Sequence, residues 1–592
     1  MPTAKNAQIA EFLENIADML EIKGESTFRV RAYRDAARAI ESLQEDIEEI
    51  ERRGELTGIP GVGESIAAKI TEYIETGGSV YYDQLKKEVK PGLAELVQVP
   101  GIGPKKARLF YDRLGIDSVE KLERAAKKHK LSGIPGLGEK TEKNLLDSIE
   151  RMRGRTGRTP LGIALPTARR FLEMVRDFKE VDRASLAGSL RRMLETIGDL
   201  DLLAASDEPK VVIDRFVELP MVKSVLAHGP TKGTIVTEEN LQVDLRVVKP
   251  DEFGAALQYF TGSKAHNIKL RTLAEAMGFK VNEYGVFRVS DNKRVAGETE
   301  EGMYEVLGLE IMPPELREDR GEIEASRQER LPDLVERSDL KGDLHVHTNW
   351  SDGADPPEAM VKAAQDLGYE YLAISDHSVS MGFVHGLTLE RIREQRALID
   401  GLNRRYRGIH VLHGIEVNVR ADGSLDYDDE VLERFDVVTA SVHSGMGMKV
   451  ERMSERIIKA ISNPHVDILG HPTGRIIGKR DPYEVDLDAV LRAAAKTGTA
   501  MEINSQPDRL DLKDTDARHA QELGVMLAID SDAHSVGQLG LVDYGIATAR
   551  RGWIETKNVL NALPLNELLG WLSKEAARKV RRPRRKVVSY RS

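Results

Sequence analysis

Residues 185–203 read Ser-Leu-Ala-Gly-Ser-Leu-Arg-Arg-Met-Leu-Glu-Thr-Ile-Gly-Asp-Leu-Asp-Leu-Leu. A small-residue turn at positions 188–189 leads through two arginines into a strand predicted to carry Asp199 and Asp201. Residues i and i+2 of a strand point to the same face, roughly 6.5–7 Å apart. Two carboxylates so placed repel each other, and a divalent cation such as Mg²⁺ or Mn²⁺ relieves the repulsion. For an isolated match, the alternative is a surface turn followed by an ordinary Asp-x-Asp.

A second strand, predicted over residues 241–247, favours the metal site. Its apolar residues alternate with polar ones, so Asp244 lies in the middle of the polar face. A third acid there completes a two-metal site for phosphoryl or nucleotidyl transfer. In the preceding turn, Gly188 lets the backbone approach a phosphate, Ser189 can donate a hydrogen bond to it, and Arg192 can neutralise its charge.

The order Gly-Ser, Asp-x-Asp, Asp resembles the nucleotidyltransferase palm of DNA polymerase family X. The resemblance implies that two Mg²⁺ ions are held by Asp199, Asp201 and Asp244. It also implies that Asp244 activates the primer 3′-hydroxyl. The triphosphate is expected to contact Gly188, Ser189 and Arg192. This chain departs from the pattern at Met193, where DNA polymerase beta has glycine.

The composition of the whole chain limits its class. A chain of 592 residues is expected to form several domains, since single cores rarely exceed about 250–300 residues. The absence of cysteine excludes disulfides and thiolate metal sites. No apolar run approaches the roughly 18 residues of a membrane helix, and the first residues are too polar for a signal peptide. We therefore expect a cytoplasmic protein without a membrane partner, associated with the nucleoid when on DNA. The net charge of −11 disfavours a DNA-coating protein but allows local basic patches.

A Pro-Gly-x-Gly pattern recurs three times in the first 155 residues, in Gly58-Ile-Pro-Gly-Val-Gly63, Val99-Pro-Gly-Ile-Gly103 and Gly133-Ile-Pro-Gly-Leu-Gly138. Each copy runs into a helical stretch, and recurrence about every 40 residues indicates an internal repeat. Glycines expose backbone N–H groups at a helix N-terminus, where phosphate binds without any base being recognised. The pattern predicts helix-hairpin-helix DNA binding through Gly61, Gly63, Gly101, Gly103, Lys105, Gly136 and Gly138. The alternative is packing of glycine-capped helices.

The same region resembles the N-terminal lyase and DNA-binding domains of family X, including the stretch Phe28-Arg-Val-Arg-Ala-Tyr-Arg-Asp-Ala-Ala37. The resemblance implies that Lys69 forms a Schiff base with an abasic sugar, and a lysine near other cations can have the lowered pKa that this requires. The family's accompanying lysine one helical turn earlier is Ser65 here. The alternative is a solvated helix lysine without lyase activity.

Further matches follow the palm. The stretch Tyr259-Phe-Thr-Gly-Ser263 precedes a helical run, His266-Asn-Ile-Lys-Leu-Arg271, and resembles the family's subdomain that closes on the incoming nucleotide. The resemblance implies nucleotide contacts by Tyr259, Phe260, Gly262 and Asn267, and DNA contacts by Lys232 and Arg271. Simple core packing is the alternative for the two aromatic residues.

The C-terminal part is rich in histidine, with eleven of the fourteen histidines between positions 345 and 534. They follow apolar, β-rich runs that are separated by helical stretches such as 356–367 and 485–496, the pattern of a (β/α) barrel. In such barrels the functional groups converge at the C-terminal ends of the strands. Imidazoles together with carboxylates suit Zn²⁺, Mn²⁺ or Fe²⁺.

This pattern resembles the polymerase and histidinol phosphatase (PHP) domain, a distorted seven-stranded barrel that holds three metals. The resemblance implies nine ligands, all present: His345, His347, Asp352, His377, Glu416, His443, His471, Asp532 and His534. We expect up to three Mn²⁺ or Zn²⁺ ions, with a metal-bound hydroxide acting in a phosphoesterase. Asp376 is expected to support His377, and Arg475 and Lys479 could meet DNA phosphate.

The resemblance covers nearly the whole chain and implies a multidomain α/β and α+β protein of bacterial DNA polymerase family X with a C-terminal PHP domain. The expected domains are a lyase-like helical domain (1–85), a helix-hairpin-helix domain (86–155), a nucleotidyltransferase palm (156–255), a nucleotide-binding thumb-type subdomain (256–315), a solvated linker (316–340), a distorted (β/α)7 PHP barrel (341–575) and a basic tail (576–592).

The implied function is gap filling in base excision repair, with deoxynucleoside triphosphates and gapped or nicked double-stranded DNA as partners and a 3′→5′ exonuclease in the barrel. The chain is expected to act as a monomer. One alternative is a DNA-end-processing or abasic-site nuclease whose polymerase half mainly binds gapped DNA. The other is a small-molecule phosphatase, which the three hairpins disfavour.

Overall fold

The computed structural model describes residues 4–23, 25–41, 43, 47–76, 79–88, 93, 96, 102–131, 142, 145–146, 149, 158–379 and 385–573. The chain divides into two compact units, Met1–Thr156 and Gly157–Ser592. Three of the predicted hairpin residues, Gly101, Gly136 and Gly138, lie outside the described residues, as does the basic tail. Among the described helices, none combines the length and apolar character that a membrane crossing requires.

The described part of the first unit is helical, as expected for a lyase-like helical domain. Phe12, Ile16, Met19 and Leu20 lie on one face of the first helix and are buried. The helices are α1 (Ala4–Lys23), α2 (Thr27–Glu41), α3 (Ile47–Arg52), α4 (Glu64–Thr76), α5 (Val80–Glu88), α6 (Pro104–Leu114) and α7 (Val119–Lys127). Helices α4 and α6 each begin directly after a glycine of a Pro-Gly-x-Gly copy.

The second unit begins with a mixed sheet that carries the predicted palm. A short antiparallel pair joins β1 (Thr159–Pro160) to β3 (Thr196–Ile197). The main sheet has the order β2-β4-β7-β6-β5, formed by β2 (Arg183–Leu186), β4 (Leu200–Ala205), β5 (Val222–His228), β6 (Lys232–Thr237) and β7 (Gln242–Val248). Helices of this region are α8 (Leu161–Arg176), α9 (Gly188–Arg191) and α10 (Pro209–Val217).

The nucleotide-closing subdomain follows, with helices α11 (Phe253–Thr261), α12 (Lys264–Ala276) and α13 (Glu300–Glu305). Its antiparallel sheet has the order β10-β9-β8, from β8 (Phe279–Asn282), β9 (Gly285–Arg288) and β10 (Arg294–Ala296).

The segment 316–340 is not the solvated linker expected from its charge. It contains α14 (Glu322–Arg327), and the side chains of Arg317 and Glu322 are fully buried. Both charges are paired: Arg317 Nη1 lies 2.5 Å from Glu300 Oε1, and Glu322 Oε1 lies 2.7 Å from His266 Nδ1. Buried charges need such partners, and the composition of the segment alone does not reveal them.

Seven parallel strands form the predicted barrel, in sequential order β11 to β17. They are β11 (Gly342–Val346), β12 (Tyr371–Ile374), β13 (His410–Asn418), β14 (Val437–Ser441), β15 (Ile468–Leu469), β16 (Ala500–Asn504) and β17 (Leu527–Asp530). A parallel bridge from Val346 to Ala533 brings the last strand end back to the first. This barrel, together with the helical first unit, confirms the predicted fold class.

Helices alternate with the barrel strands. They are α15 (Pro357–Asp366), α16 (Leu389–Arg405), α17 (Asp429–Leu432), α18 (Val450–Ile461), α19 (Leu487–Thr497), α20 (Asp514–Glu522), α21 (Val542–Arg551) and α22 (Leu565–Ser573). Two of them fall at the predicted helical stretches 356–367 and 485–496.

The barrel packs directly on the palm within the second unit. Leu510 and Tyr544 of the barrel belong to the same buried apolar cluster as the palm strands. Gly162 of α8 lies against the ring of Pro507, where a Cβ would overlap it. Arg475, expected on DNA, is instead buried, with Nη1 2.8 Å from Glu195 Oε2 of the palm. Barrel residues therefore complete the apolar core of the palm, and the two parts are in direct contact.

Candidate active sites of the palm and the barrel

The three palm acids come together. Asp201 and Asp244 are register partners on the parallel strands β4 and β7. Asp199 lies one residue before β4 rather than on the strand as predicted. Each of the three offers a carboxylate oxygen, and these oxygens lie within 4.8 Å of one another. Oxygen ligands at this spacing suit a hard divalent cation.

The surroundings of Asp201 disfavour its charged form. Burial, together with the neighbouring carboxylates of Asp199 and Asp244, raises the pKa of Asp201 to about 7, although Lys232 and Arg192 act against the shift. The ammonium of Lys232, predicted to meet DNA, lies 2.7 Å from Asp244 Oδ2. The sequence did not indicate this pair, which arises because β6 and β7 are antiparallel neighbours.

Gly188 makes room for a carboxylate as well as for a backbone turn. Its φ is +61°, a conformation that other residues rarely adopt, and a Cβ at this position would overlap the carboxylate of Asp201. Met193, the departure from the family pattern, has a φ of +53°. The chain therefore keeps a left-handed conformation there, at a steric cost of roughly 1–2 kcal/mol for a non-glycine residue.

Arg192 is held on two sides. Its Nε lies 3.0 Å from Glu318 Oε1, and its Nη1 donates to the carbonyl of Thr261. Its Nη2 has no hydrogen-bond partner among the residues that the structure describes. Ser189, in the short helix α9, is half-buried. One arm of the guanidinium thus remains available to an anion near the turn.

The predicted nucleotide residues of the closing subdomain are linked to one another. Asn267 Nδ2 donates to the carbonyl of Tyr259 over 2.8 Å, and the rings of Tyr259 and Phe260 meet edge-on at 5.2 Å between centroids. Gly262 has a φ of +70°, and a Cβ there would lie 3.2 Å from Arg192 Nη1. Both aromatic rings are half-buried, and Arg271 is exposed on α12.

The nine predicted barrel ligands also converge. Eight of them fall into three overlapping groups whose ligand atoms lie within 4.8 Å of one another: His347, Asp352, His377 and His534; His345, His347 and Asp532; His377, Glu416 and His443. The ninth, His471, has its Nε2 3.0 Å from Glu416 Oε1. The Glu416 carboxylate also lies 2.8 Å from His377 Nδ1 and 3.3 Å from His443 Nε2.

The donor set of the barrel fits divalent metals. The Nδ1 atoms of His347 and His471 are buried and have no hydrogen-bond partner within the described residues. Burial and the neighbouring rings of His534 and His377 lower the pKa of His347 to about 4, so its imidazole is neutral at physiological pH. A histidine must be neutral to bind a metal.

Residues behind the ligands hold them in place. Glu502, on β16, has Oε1 2.6 Å from His345 Nδ1, and Asn418 has Oδ1 2.5 Å from His443 Nδ1. Sequence reasoning missed both, although a charged residue in the apolar run Ala500–Asn504 was a usable signal. Asp376 accepts hydrogen bonds from Thr348 and Ser351, and so supports the loop after β11 instead of the ring of His377.

Lys69 lies in a cationic and aromatic setting in the first unit. Its Nζ donates to the carbonyl of Ser65 over 2.8 Å and lies 4.7 Å from the centre of the Tyr81 ring. Burial and the charge of Arg29 lower the pKa of this lysine. Ser65, which replaces a lysine of the family pattern, thus accepts a hydrogen bond from Lys69 instead of repelling it.

The described hairpin glycines differ in their surroundings. Gly61 has a φ of +81°, and a Cβ there would lie 3.3 Å from the backbone nitrogen of Ala36. At Gly63 and Gly103, a Cβ would meet nothing within 4 Å. The side chain of Lys105 lies outside the described residues, so its predicted DNA contact stays a prediction.

Comparisons with known proteins agree with this arrangement. Family models match a helix-hairpin-helix domain at residues 4–79, a SAM-like helix-hairpin-helix tandem at 93–151, the DNA polymerase beta thumb at 256–318 and the PHP domain at 343–506. The DNA polymerase/3′-5′ exonuclease PolX of Bacillus subtilis (strain 168) is 40% identical over 568 residues, which is 96% of this chain and 99% of that protein.

Other relatives match a shorter part of this chain. A probable phosphatase of Thermoanaerobacter sp. (strain X514) is 30% identical over 37% of this chain and 89% of its own length. A probable phosphatase of Shewanella sp. (strain MR-4) is 28% identical over 40% of this chain and 93% of its own length.

The thumb, the hairpin domains and the barrel define a DNA polymerase-type protein with an attached PHP domain. The near full-length match completes the assignment. The chain belongs to bacterial DNA polymerase family X, in the form that carries a C-terminal PHP domain.

Replacing Asp201 with asparagine should stabilise the metal-free second unit. The folded carboxyl keeps its proton up to about pH 7, whereas an unfolded aspartate loses it near pH 4, so folding takes up a proton between these values and stability falls as pH rises. In EDTA, Asp201→Asn should raise the apparent melting temperature by a few degrees at pH 8 and by less at pH 5. Calorimetry measures both, with Asp207→Asn, an exposed acid of the same region, as the control. An equal shift in the two variants would contradict the coupling.

Replacing Gly63 and Gly103 with valine should weaken DNA binding without unfolding the first unit. Both positions have free space for a side chain, but the added bulk covers the backbone N–H groups at the start of α4 and α6. Because phosphate contacts carry no sequence information, affinity should fall by a similar factor on unrelated duplexes. Fluorescence anisotropy on several sequences tests this, with circular dichroism as the check on folding. A loss confined to one sequence would show base recognition instead.

Proposed function

We propose that this protein is a DNA-directed DNA polymerase that fills short gaps during base excision repair and carries a 3′→5′ exonuclease in its PHP barrel. The observation that supports the proposal is the presence, in one compact unit, of two clusters of potential metal ligands with different chemistry. The palm offers carboxylates alone, whereas the barrel offers mainly imidazoles. The name of the Bacillus subtilis relative, DNA polymerase/3′-5′ exonuclease, supports both halves.

In the palm, we assign Asp199, Asp201 and Asp244 as the ligands of two Mg²⁺ ions, which stabilise charge on the attacking and leaving oxygens when bound. The primer 3′-oxygen bonds to the α-phosphorus, and the bond from that phosphorus to the bridging oxygen breaks, so pyrophosphate leaves. In this proposal Asp244, the register partner of Asp201, takes the 3′-hydroxyl proton. The free Nη2 arm of Arg192 donates to the triphosphate.

Other residues position the substrates. Ser189 and the turn at Gly188 contact the triphosphate, and Tyr259 and Phe260 line its sugar. Asn267 reaches the minor-groove edge of the incoming base after it exchanges its present bond to Tyr259. Gly262 keeps the backbone beside Arg192 free of a side chain, and Arg271 meets the template strand.

In the barrel, the nine converging side chains hold up to three ions, which we propose to be Mn²⁺ or Zn²⁺. Metals bound there supply an activated water for attack on the terminal phosphodiester. Glu416 serves as the central anion, since its carboxylate oxygens lie between 2.8 and 3.7 Å from ring nitrogens of five histidines. Neutral His347 needs no deprotonation to serve as a ligand.

The DNA substrate is a gapped or nicked duplex bound by the hairpins of a monomeric enzyme. We propose Gly61, Gly63, Gly101, Gly103, Gly136, Gly138 and Lys105 as phosphate contacts. Lys232 joins them once it leaves Asp244. Lys69 is assigned as the Schiff-base lysine of a lyase step, because its pKa is lowered beside Arg29 and Tyr81. The hairpins and the palm disfavour the activity of the probable phosphatases, which match only 37% and 40% of this chain.

Two double variants should separate the two activities. Asp199→Ala with Asp201→Ala should lower Mg²⁺-dependent extension by about 10²–10³-fold or more, since it removes the charge stabilisation of the transition state, and should leave 3′-end degradation in place. His345→Ala with His347→Ala should abolish 3′-end degradation and leave Mg²⁺-dependent extension in place. A gapped duplex with a 5′-labelled primer resolves both reactions on one gel. Extension that persists in the palm variant would refute the palm assignment, and degradation that persists in the barrel variant would refute the barrel assignment.

The two centres should also differ in metal preference. Carboxylate sites accept Mg²⁺ readily, whereas imidazole-rich sites favour Mn²⁺ or Zn²⁺. After chelation and dialysis, Mg²⁺ alone should restore extension, and added Mn²⁺ should stimulate degradation far more than Mg²⁺ does. Rates on a 3′-labelled duplex across a metal titration measure this. Equal degradation with either ion would contradict the proposed ligand chemistry.

A further inference from the structure

A barrel arginine reaches the phosphate-binding turn of the palm. Arg551, the last residue of α21, is buried. Its Nη1 donates to the carbonyl of Arg192 over 2.8 Å and to Glu318 Oε1 over 3.1 Å. Its Nη2 donates to Asp514 Oδ2 over 2.9 Å. The polymerase half therefore takes part of the framework of its own site from the nuclease half.

Glu318 is shared between two guanidinium groups. Its Oε1 accepts from Arg192 Nε at 3.0 Å and from Arg551 Nη1 at 3.1 Å. A carboxylate that faces a single arginine prefers to take two of its N–H groups at once. With Arg551 Nη1 on the same oxygen, Arg192 engages Glu318 through Nε alone, and its Nη2 makes no hydrogen bond among the described residues.

The network carries an excess of positive charge. Asp514 Oδ2 also lies 2.9 Å from Arg320 Nη1, so the chain of pairs runs Arg192, Glu318, Arg551, Asp514, Arg320. Three guanidinium groups face two carboxylates along it. The Arg192 end, where a donor is free, suits an anion.

We propose that Arg551 is a positioning residue of the polymerase site: by holding Glu318 and the carbonyl of Arg192, it keeps the free arm of Arg192 available to the triphosphate. The proposal rests on the proposed role of Arg192 in nucleotide binding. Without Arg551, Glu318 pairs with Arg192 alone and competes with the triphosphate for it. Nucleotide affinity should then fall while the metal site is untouched.

The chain offers a matched control on the same helix. Arg550 has Nε 2.7 Å from Glu315 Oε1 and donates to the carbonyl of Val335. It thus ties the barrel to the same 313–335 region without contacting Arg192. If Arg551 merely attached the barrel to its neighbours, loss of either arginine would have similar effects.

The test is single-nucleotide incorporation into a gapped duplex with Mg²⁺, with KM for the deoxynucleoside triphosphate and kcat measured separately. Arg551→Gln should raise KM about tenfold and change kcat by less than about twofold, an effect of about 1.4 kcal/mol on binding. Arg550→Gln should leave KM near the wild-type value. Exonuclease rates of the same preparations report whether the barrel is intact.

Removing the competing carboxylate supplies the decisive comparison. In Arg551→Gln with Glu318→Gln, position 318 no longer forms an ion pair with Arg192, so KM should return to within about twofold of wild type. A merely structural role for Arg551 predicts no rescue. If Arg551→Gln does not fold, Arg551→Lys, which keeps the charge but has no second arm, should give an intermediate KM that Glu318→Gln again lowers.

Three results would each overturn the proposal. KM could be unchanged in Arg551→Gln, it could rise equally in Arg550→Gln, or the double variant could have a KM as high as that of Arg551→Gln alone. Arg192→Gln, measured in parallel, keeps this outcome separate from a failure of the proposed function. If it leaves KM unchanged, the assignment of Arg192 to the triphosphate is wrong. If it raises KM while Arg551→Gln does not, only the role of Arg551 is refuted.

Discussion

Repulsion between carboxylates held at fixed spacing is the constraint on which the palm depends. The parallel pairing of β4 with β7 places Asp201 beside Asp244, and no side-chain movement can separate the two strands. The neighbouring residues reduce the cost of these two negative charges in different ways. Gly188 leaves space for the carboxylate of Asp201, Lys232 approaches Asp244, and the pKa of Asp201 rises to about 7. The sheet stores an unfavourable arrangement that a divalent cation relieves, which is how active sites commonly trade stability for function.

Sequence patterns predicted those parts of the molecule whose geometry is local. Alternation of polar residues located β7, and histidines after apolar runs predicted which side chains converge in the barrel, since parallel strands present their C-terminal ends at one edge. Contacts between distant segments were not predictable in this way. Arg475 is a basic residue of the kind that contacts DNA, but it is paired with Glu195 of the palm. Lys232 forms an ion pair with Asp244 on the neighbouring strand. Arg551 lies 359 positions from Arg192, whose carbonyl it contacts, and no local sequence pattern predicts such a pair.

The segment 316–340 illustrates the same limit. Its density of Glu, Arg and Asp is typical of a solvated connection. In the structure, those charges are paired inside the second unit, through Arg317 with Glu300 and through Glu322 with His266. A charge that finds its partner only after folding cannot be told from a solvated charge by composition. The segment fastens the closing subdomain while it runs on to the first barrel strand.

The contact between Gly162 and Pro507 bears on how the two halves evolve. The surface that the barrel presents to the palm includes Leu510 and Tyr544, which complete an apolar core begun by palm strands. A free-standing barrel has no reason to keep such a surface, because it would expose apolar side chains to water. Grafting a stand-alone barrel onto this palm would leave the palm core open on one side. We therefore expect a substitution on one side of this interface to require a compensating substitution on the other.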